Sequence, residues 1–397
     1  MKKFLCYLEQ YTYCKISKSE VLLINLLDGF YLHSTDLMFL EFIKALTNKK
    51  FLILHTDEYE KNIDFIKELK LHFLGDCYEQ TDEKGFPAMF YMQINTPYNM
   101  KHKSEVLTLT ENHIIDFLTS MYVFTSHRAY EIFMGTINGK NIKQRKITED
   151  EITTILAMSL KASVSSTIYL YITDREMLNL LCNLIRRKGD SSVFSNIKII
   201  STITLYYTNR ASFNFIKLKT LQLEILIDDI SVFSSTKERF SDIILSYPIS
   251  SIKDMNDYSS LVKDPNLIIR PHIIINSLNI DFIKHLYVIE KQEVLEQKHI
   301  EEKIKLNMVI NSNYFGKVYF FPNWKISLSP IDYKKVIYSK INIEETLTTE
   351  ILKDNSLWFA TRMKKHCRQC VLQYLCPPPS IIEQKFKNIL FCQNTSY

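Results

Sequence analysis

The run Thr167-Ile-Tyr-Leu-Tyr-Ile-Thr173 leads directly into a helical pattern over Arg175–Arg187. The first run has the length and the β-branched and aromatic composition of a strand, and the second has the apolar spacing of an amphipathic helix. A strand that passes directly into a helix is the repeating unit of a parallel sheet covered by helices. This unit predicts an α/β fold for the middle of the chain.

The same alternation of strands and helices continues on both sides of this unit. The strands are near-continuous apolar runs, as expected when helices cover both faces of a sheet. We therefore predict an α/β domain over 105–310 that is open or barrel-like. A closed eight-stranded barrel is disfavoured because too few strands can be found. The strand candidates are Met121–Thr125, Thr167–Thr173, Ile197–Tyr206, Leu221–Ile227 and His272–Asn276, and the helix candidates are Glu149–Ser159, Arg175–Arg187, Ser234–Leu245, Asp281–Ile289 and Gln292–Ile304.

Residues 1–80 have the pattern of a small separate module. Two short apolar runs are joined by Asp28-Gly29, a pair that favours a tight hairpin turn, and two amphipathic helical patterns follow. Strands followed by helices in this order predict a winged-helix-like fold. A linker is predicted over 81–104, where a glycine and two prolines occur. The strand candidates are Val21–Leu26 and Phe30–His33, and the helix candidates are Thr35–Leu46 and Asp57–Phe73.

The pattern changes again at the C-terminal end, where we predict a third domain over 311–397. Lys317–Phe321 and Lys325–Leu328 alternate apolar and polar residues around Pro322-Asn323-Trp324, which predicts a β-hairpin. A helix is predicted over Ile343–Thr361. The remaining tail contains cysteines and three consecutive prolines.

The composition excludes several classes of protein. The chain has 397 residues, 46% hydrophobic and 23% charged, which excludes a disordered chain and a simple coiled coil. Only 7 residues are glycine, so the sequence contains too few glycines to favour a glycine-rich phosphate-binding loop. The net charge of +5 is weak for a nucleic-acid-binding protein of this size. No signal peptide and no apolar run of ~20 residues is found. We therefore expect a cytoplasmic protein that binds neither nucleic acid nor membrane.

The tail contains a cysteine cluster. Cys367-Arg-Gln-Cys370 is followed by Cys376 and then by Cys392. A C-x2-C pair presents two thiolates to one metal site across a tight loop, and cysteines from other segments can complete four-coordination. Half of the chain's eight cysteines lie in this short region, which argues against chance spacing. We predict that Cys367, Cys370, Cys376 and Cys392 bind a metal or a cluster.

Spacing alone leaves the occupant of this site open. Zinc and an iron–sulfur cluster both suit four thiolates, and a vestigial site without metal is a further alternative. His366 is a minor candidate ligand, and nearby basic residues such as Arg362 and Arg368 would favour thiolates. The other four cysteines are scattered among apolar residues, and we expect each to be a buried apolar side chain. They are Cys6, Cys14, Cys77 and Cys182.

This tail resembles the SPASM domain of radical S-adenosylmethionine (SAM) peptide maturases, which carries C-x2-C-x5-C-x3-C. Cys367, Cys370 and Cys376 match the first three positions, whereas Ser380 occupies the fourth. Cys392 can match a further cysteine downstream. The resemblance implies a site for one 4Fe-4S cluster, with zinc as the alternative.

The start of this third domain limits the number of such clusters. Asn313–Asn323 resembles the hairpin that opens SPASM domains, and in typical members a cysteine follows it. Lys325–Pro330 contains no cysteine. The resemblance therefore implies at most one auxiliary cluster.

The whole chain resembles a narrower family, the pseudo-radical SAM proteins of ribosomal-peptide (RiPP) maturation systems. The resemblance is carried by Tyr7-Leu-Glu-Gln-Tyr11, by Val21-Leu-Leu-Ile-Asn25 and by the tail from Cys367 to Cys392. It implies a partial radical SAM-type (β/α) barrel between a winged-helix-like module and a SPASM-like tail.

The motif that makes such barrels catalytic is absent from the sequence. Radical SAM enzymes carry C-x3-C-x2-C after the first barrel strand, but here Met121–Thr125 continues into Ser126-His-Arg-Ala-Tyr-Glu-Ile-Phe133. No cysteine lies between Cys77 and Cys182, and Tyr171–Arg175 lacks the glycines of a SAM contact. The resemblance therefore implies a pseudoenzyme that does not bind S-adenosylmethionine.

The N-terminal module resembles the leader-peptide recognition elements of RiPP systems, which add the leader as an extra strand to an exposed sheet edge. The hairpin over Val21–His33 and the helix over Asp57–Phe73 would form the groove, and an ordinary capping subdomain is the alternative.

Taken with the absent catalytic motif, these resemblances predict a non-catalytic accessory factor in the maturation of a ribosomally synthesised peptide. Its partners would be the precursor peptide, a radical SAM maturase, or both. The rival is an iron–sulfur or zinc enzyme or electron carrier that uses the tail cysteines. A degenerate relic without a present role is a third interpretation.

Overall fold

The computed structural model describes most of the chain outside the predicted linker over 81–104. The described residues are 2–79, 117–134, 145–161, 166–188, 194, 196–219, 221–234, 240, 243–263, 267–275, 279–330, 336–338, 342–353, 356–363, 365–380, 382–383 and 392.

The N-terminal module contains two three-stranded antiparallel sheets and three helices. Its elements are β1 (Lys3–Leu8), β2 (Thr12–Ile16), β3 (Val21–Asn25), β4 (Tyr31–Ser34), α1 (Leu37–Lys49), β5 (Leu52–His55), α2 (Thr56–Lys61), α3 (Ile63–Leu71) and β6 (Gly75–Glu79). One sheet has the order β5-β1-β6 and the other β2-β3-β4. The predicted hairpin is confirmed as β3 and β4, and Gly29 in its turn has a φ of +84°, which glycine adopts without strain.

The module has more strands than the sequence predicted. β1 and β2 are separated by Glu9-Gln-Tyr11, which contains neither glycine nor proline, so no turn signal marked their boundary. The predicted helix over Asp57–Phe73 is divided into α2 and α3 at Asn62. The winged-helix-like assignment stays a prediction, because two small sheets go beyond the hairpin on which it was based.

Two of the cysteines expected to be buried apolar side chains form a disulfide. Cys6 on β1 lies directly opposite Cys77 on β6, and the two sulfurs are bonded. Both side chains are buried as predicted, but the expectation of unbonded thiols is wrong for this pair. The pairing could not be predicted because the two cysteines are 71 residues apart and the sequence around each one does not indicate its partner. Cys14 and Cys182 are buried and free.

The middle and the C-terminal part of the chain form one large sheet covered by helices. The elements up to residue 273 are β7 (Ser120–Phe124), α4 (His127–Met134), α5 (Glu149–Lys161), β8 (Thr167–Ile172), α6 (Arg175–Lys188), β9 (Ile197–Thr202), α7 (Ile203–Thr208), α8 (Arg210–Leu218), β10 (Gln222–Leu226), α9 (Ile230–Ser234), β11 (Ile244–Ile249), α10 (Ile252–Leu261) and β12 (Ile269–Ile273). The later elements are α11 (Ile280–Leu286), α12 (Lys291–Glu296), α13 (Glu301–Val309), β13 (Lys317–Phe321), β14 (Lys325–Ser327), β15 (Val336–Ile337), α14 (Ile343–Leu352), a 3-10 turn (Leu357–Phe359) and α15 (Lys365–Arg368).

Over the described residues the large sheet has nine strands, in the order β12-β11-β10-β9-β8-β7-β13-β14-β15. The seven strands from β12 to β13 are parallel, while β14 and β15 continue the sheet in antiparallel fashion. The predicted α/β fold is therefore confirmed. Over the described residues the order is open, so the partial barrel stays a prediction.

Two predicted boundaries in the middle of the chain are wrong for identifiable reasons. The run Ile197–Tyr206 divides at Thr202, whose hydroxyl accepts a hydrogen bond from the Leu205 amide (3.3 Å) and begins α7. The predicted helix over Ser234–Leu245 is wrong at its C-terminal end, because β11 starts at Ile244, while residues 235–239 and 241–242 lie outside the described residues. The sequence did not predict this strand because it contains Pro248, and a proline cannot donate a backbone hydrogen bond to a neighbouring strand. In the structure Pro248 pairs with β12 but lies beyond the residues of β11 that pair with β10.

Two later helices are also shorter than predicted. The pattern over Gln292–Ile304 forms α12 and α13 with a break between them, and the helix over Ile343–Thr361 ends at Leu352. The predicted hairpin is confirmed as β13 and β14, with positive φ at Asn323 and Trp324 in its turn. No helix in the described part of the chain combines the length and the apolar character needed to cross a bilayer.

Candidate functional site

The tail cysteines lie on a short segment of consecutive tight turns. Cys367 belongs to α15, and the amide of Cys370 donates to its carbonyl (3.1 Å). The amide of Cys376 donates to the carbonyl of Leu372 (3.0 Å). The amide of Leu372 also donates to the sulfur of Cys370 (3.4 Å), so this loop folds back over that sulfur.

Cys392 reaches the same region from the end of the chain. It forms an isolated parallel β-bridge with Ile289, which packs against the tail segment. Burial first, and then the thiols of Cys370, Cys392 and Cys367, raise the pKa of Cys376. The electrostatic environment of Cys376 therefore includes the other three cysteines that spacing singled out.

Their role as metal ligands stays a prediction. In the part of the chain that the structure describes, no group of three or more His, Cys, Asp or Glu side chains is arranged to hold a metal ion. The donor set is nevertheless chemically suited to zinc or an iron–sulfur cluster, because thiolate sulfur is the ligand that both prefer.

Burial controls the protonation of the two inner thiols. It raises the pKa of Cys376 to about 12, against the opposing positive charge of Arg362. It also raises the pKa of Cys370. Both thiols therefore keep their protons at neutral pH when no metal is bound, and a binding metal must displace those protons.

A buried ion pair fixes the chain that follows Cys376. Arg362 donates to both carboxylate oxygens of Glu383 (2.9 and 3.3 Å) and to the carbonyl of Pro377 (2.6 Å). Glu383 also accepts from the amide of Ser380 (2.8 Å). Arg362 thus acts on the nearby thiol as predicted, but its guanidinium is held by Glu383.

Two asparagines that sequence analysis missed also hold the segment around Cys376. Asn307 on α13 donates to the carbonyl of Tyr374 (2.9 Å), and Asn311 donates to the carbonyl of Pro379 (3.2 Å). Both asparagines are buried. They satisfy carbonyl groups of a proline-rich segment that cannot form a regular ladder.

The N-terminal sheet covers the tail segment. Lys15 on β2 donates to the side chain of Gln373 (3.0 Å), and its ammonium lies 4.9 Å from the ring centroid of Tyr374. Beside these contacts lies a shared apolar cluster, so the module over 1–80 and the tail have one core in common. The buried members of this cluster are Tyr13, Leu22, Ile24, Val294, Leu295, Ile304, Val371, Leu372, Leu375 and Cys376. The domain boundaries themselves stay predictions.

Tyr13 is the unusual member of this cluster. Its side chain is fully buried, and its hydroxyl has no hydrogen-bond partner within the described residues. Burial, with smaller contributions from neighbours that include Cys370 and Cys376, raises its pKa well above the ordinary value. A buried hydroxyl without a partner is rare and costs about 1–3 kcal/mol. This orphaned donor beside the tail thiols fits a metal group bound to their sulfurs.

A second group of polar side chains, also missed by sequence analysis, lies on the face of the large sheet that α4 covers. Lys198 on β9 pairs with Glu224 on β10 (2.6 Å), and both side chains are largely buried. Glu224 also accepts from the hydroxyl of Ser246 on β11. The signal available in the sequence was a charged residue inside each of two largely apolar strands, Lys198 in Ile197–Thr202 and Glu224 in Gln222–Leu226.

Aromatic side chains fill the rest of this face. Tyr122 stacks on Tyr169 (4.7 Å between ring centroids) and on Tyr319 (4.9 Å), which makes a row across three strands. Tyr130 and Phe133 of α4 lie over a second row built on Phe124, Tyr171 and Phe321. The segment that follows β7 therefore places aromatic rings, not thiols, against the sheet.

Comparisons with known proteins identify no family for this chain. No family model matches the chain, and no curated protein matches it. Among solved structures, SuiB of Streptococcus suis is similar with a TM-score of 0.35 and 10% identity, over 98% of this chain and 100% of that chain. A likeness at this TM-score carries no argument about fold or function, so the resemblance to pseudo-radical SAM proteins stays a prediction.

Proposed function

We propose that this chain is a non-catalytic peptide-binding protein in the maturation of a ribosomally synthesised peptide. It binds the precursor peptide as an added strand on β4. The observation that supports this most strongly is the outer edge of β4, with which no described strand pairs.

The register of the hairpin identifies the backbone groups available for binding. The amide of Asn25 donates to the carbonyl of Phe30 (2.8 Å), so these two residues form a hydrogen-bonded pair. Hydrogen-bonded and non-hydrogen-bonded pairs alternate along antiparallel strands. Tyr31 and His33 therefore direct their N–H and C=O groups away from β3. Two residues at this spacing are what an added peptide strand requires.

Exposed apolar side chains flank this edge. The end of α3 lies beside the start of β4, because Phe30 stacks on His72 (3.6 Å between ring centroids). Apolar side chains at both ends of β4 are solvent-exposed, which favours a peptide with apolar residues at its ends. They are Leu27, Leu71 and Phe73 near the turn, and Leu37 and Met38 at the start of α1.

The non-catalytic part of the proposal is supported by the residues after β7. The sequence between Cys77 and Cys182 contains no cysteine, so this segment has no thiolate with which to hold a catalytic cluster. In the structure α4 instead packs Tyr130 and Phe133 against the sheet.

The test removes one outward amide of β4 while it keeps the hairpin. His33→Pro deletes an N–H that does not bond to β3, so we expect the fold to survive and peptide binding to fall at least tenfold. His33→Ala is the control, because it removes the side chain and keeps the amide. The probe is a fluorescently labelled peptide with apolar residues at both ends, and its binding is measured by fluorescence anisotropy. Equal binding by both variants would refute the β4 site.

A radical SAM maturase is the second partner that we propose. Co-purification of the two proteins from a strain that expresses both tests this directly, with the precursor peptide present and absent. Lack of any association under both conditions, together with lack of peptide binding, would count against the accessory role.

The rival function, an iron–sulfur or zinc enzyme or electron carrier, is favoured by the spacing of the four tail cysteines. Metal and sulfide analysis of anaerobically purified protein separates the alternatives. About four irons with sulfide per chain indicate one cluster, and one zinc indicates a structural site. About eight irons would contradict the non-catalytic proposal, since a second cluster would then exist.

A further inference from the structure

We infer that Tyr13 is a positioning residue of the tail metal site, and that its phenol donates a hydrogen bond to a sulfur held there by Cys370 or Cys376. The inference rests on the proposed metal-binding role of the tail cysteines. It assigns part of that site to the N-terminal module, far away in sequence.

The direction in which Tyr13 points follows from the register of β2 and β3. Tyr13 is opposite Ile24 and Lys15 is opposite Leu22, so Tyr13 and Lys15 project from the same face of the sheet. Lys15 reaches Gln373, which lies between the two inner cysteines in sequence. Tyr13 therefore faces the loop that carries Cys370 and Cys376, in agreement with its place in the shared apolar cluster.

The hydroxyl of Tyr13 is a buried donor without an acceptor among the described residues. A sulfur that ligates a metal is a charged hydrogen-bond acceptor. A group held by Cys370 or Cys376 would therefore supply the acceptor that Tyr13 lacks. The amide of Leu372 already donates to the sulfur of Cys370 from the same loop.

An outer hydrogen bond of this kind holds a ligand sulfur in position. Loss of such a partner typically lowers metal affinity by about 10- to 100-fold. If Tyr13 acted only through the packing of its ring, phenylalanine would replace it without effect on the metal. The hydroxyl alone is therefore the group to remove.

The experiment compares Tyr13→Phe with Tyr338→Phe in the full-length protein, handled without oxygen so that the tail thiols stay reduced and the Cys6–Cys77 disulfide stays intact. Tyr338 is the matched control. Like Tyr13, it is buried, and its hydroxyl has no partner within the described residues. It lies in the core of the large sheet, packed on Phe320 and Trp324 and apart from the cluster that holds the tail cysteines.

Zinc is titrated into each metal-free protein against a chromophoric chelator. We expect about 10- to 100-fold weaker zinc binding in Tyr13→Phe and no change in Tyr338→Phe. The thermal midpoint of the metal-free Tyr13→Phe protein should not fall, because the substitution removes an unpaired hydroxyl. If the wild type holds iron and sulfide, the rate of iron release to a ferrous chelator replaces the zinc affinity.

The outcomes separate this inference from the metal site itself. Equal metal affinity in wild type and Tyr13→Phe would overturn the role of Tyr13 and leave the metal site intact. A wild-type protein that takes up neither zinc nor iron would overturn both. A Tyr13→Phe protein that unfolds more easily without metal would show a packing role and also refute the inference.

Discussion

The ion pair of Lys198 and Glu224 stabilises the sheet only while both charges are present. The two side chains are 11% and 15% exposed, so either charge alone would be buried without a partner. We expect Glu224→Gln to lower the free energy of unfolding by about 3–5 kcal/mol. Lys198→Met combined with Glu224→Leu should recover most of that loss. Urea unfolding measures both, and an equal loss in the single and double variants would show that charge is not the cause.

Two histidines, His299 buried and His272 partly buried, predict how stability changes with pH. Burial lowers the pKa of His272 and of His299 below their ordinary value of 6.5. Each ring nitrogen Nε2 lies close to a backbone carbonyl, of Phe133 (2.7 Å) and of Val294 (2.5 Å) respectively, to which the neutral imidazole donates. Below about pH 6.5 the unfolded state therefore binds more protons than the folded state, and stability falls as the pH falls.

Urea unfolding at several pH values between about 8 and 5 checks this expectation. His272→Gln combined with His299→Gln should reduce the loss of stability below pH 6.5. His285→Gln, a change at an exposed position, is the control and should leave the pH dependence as it is in the wild type. If the wild type and the double variant lost stability equally with falling pH, the role of His272 and His299 would be contradicted.

At the scale of the element, the strands with strong local signals were predictable. The parallel strands before residue 230 are long apolar runs, and the two hairpins are marked by Asp28-Gly29 and by Pro322-Asn323-Trp324. β11 was not predictable, because Pro248 argues against a strand unless its neighbours are known. The end of β9 depends on the cap at Thr202, and an apolar run alone does not separate a buried strand from a buried helix.

The candidate site was predictable only where its residues are close in sequence. Cysteine spacing singled out the four tail thiols as candidate ligands, a role that stays a prediction. Tyr13 and Lys15 could not be found in this way, because Lys15 and its partner Gln373 are 358 residues apart. Contacts between residues so far apart depend on tertiary packing. A short stretch of sequence does not indicate which distant residues it will contact.

Two turn glycines differ in what surrounds them. Gly316 has a φ of +77°, and a Cβ there would lie 2.6 Å from the carbonyl oxygen of Phe117. Gly29 has a φ of +84°, but a Cβ there would meet no atom within 4 Å. We expect Gly29→Ala to cost about 1–2 kcal/mol from backbone strain alone, and Gly316→Ala to cost more. Urea unfolding tests the order, and equal losses would show that the contact at Phe117 relaxes freely.

At the scale of the whole molecule, the N-terminal module depends on the tail. One face of β2 and β3 packs on α1 within the module, while the opposite face packs on the segment that carries Cys370 and Cys376. A fragment of residues 2–79 should therefore expose this second face. We expect it to bind the dye ANS and to associate, which the full chain should not do. A monomeric fragment without dye binding would contradict the shared core.

The position of β13 beside β7 sets a waiting time during synthesis. The side chain of Thr119 donates a hydrogen bond to the carbonyl of Gly316, 197 residues later in the sequence. The edge of β7 that pairs with β13 is therefore completed only after synthesis has reached the last quarter of the chain. At about 5–20 residues per second, the ribosome needs roughly 10–40 s for that interval. Until then a hydrophobic strand edge is open to other nascent chains. Yield of this protein in cells should therefore respond to translation speed and to chaperones that shield unfinished sheets.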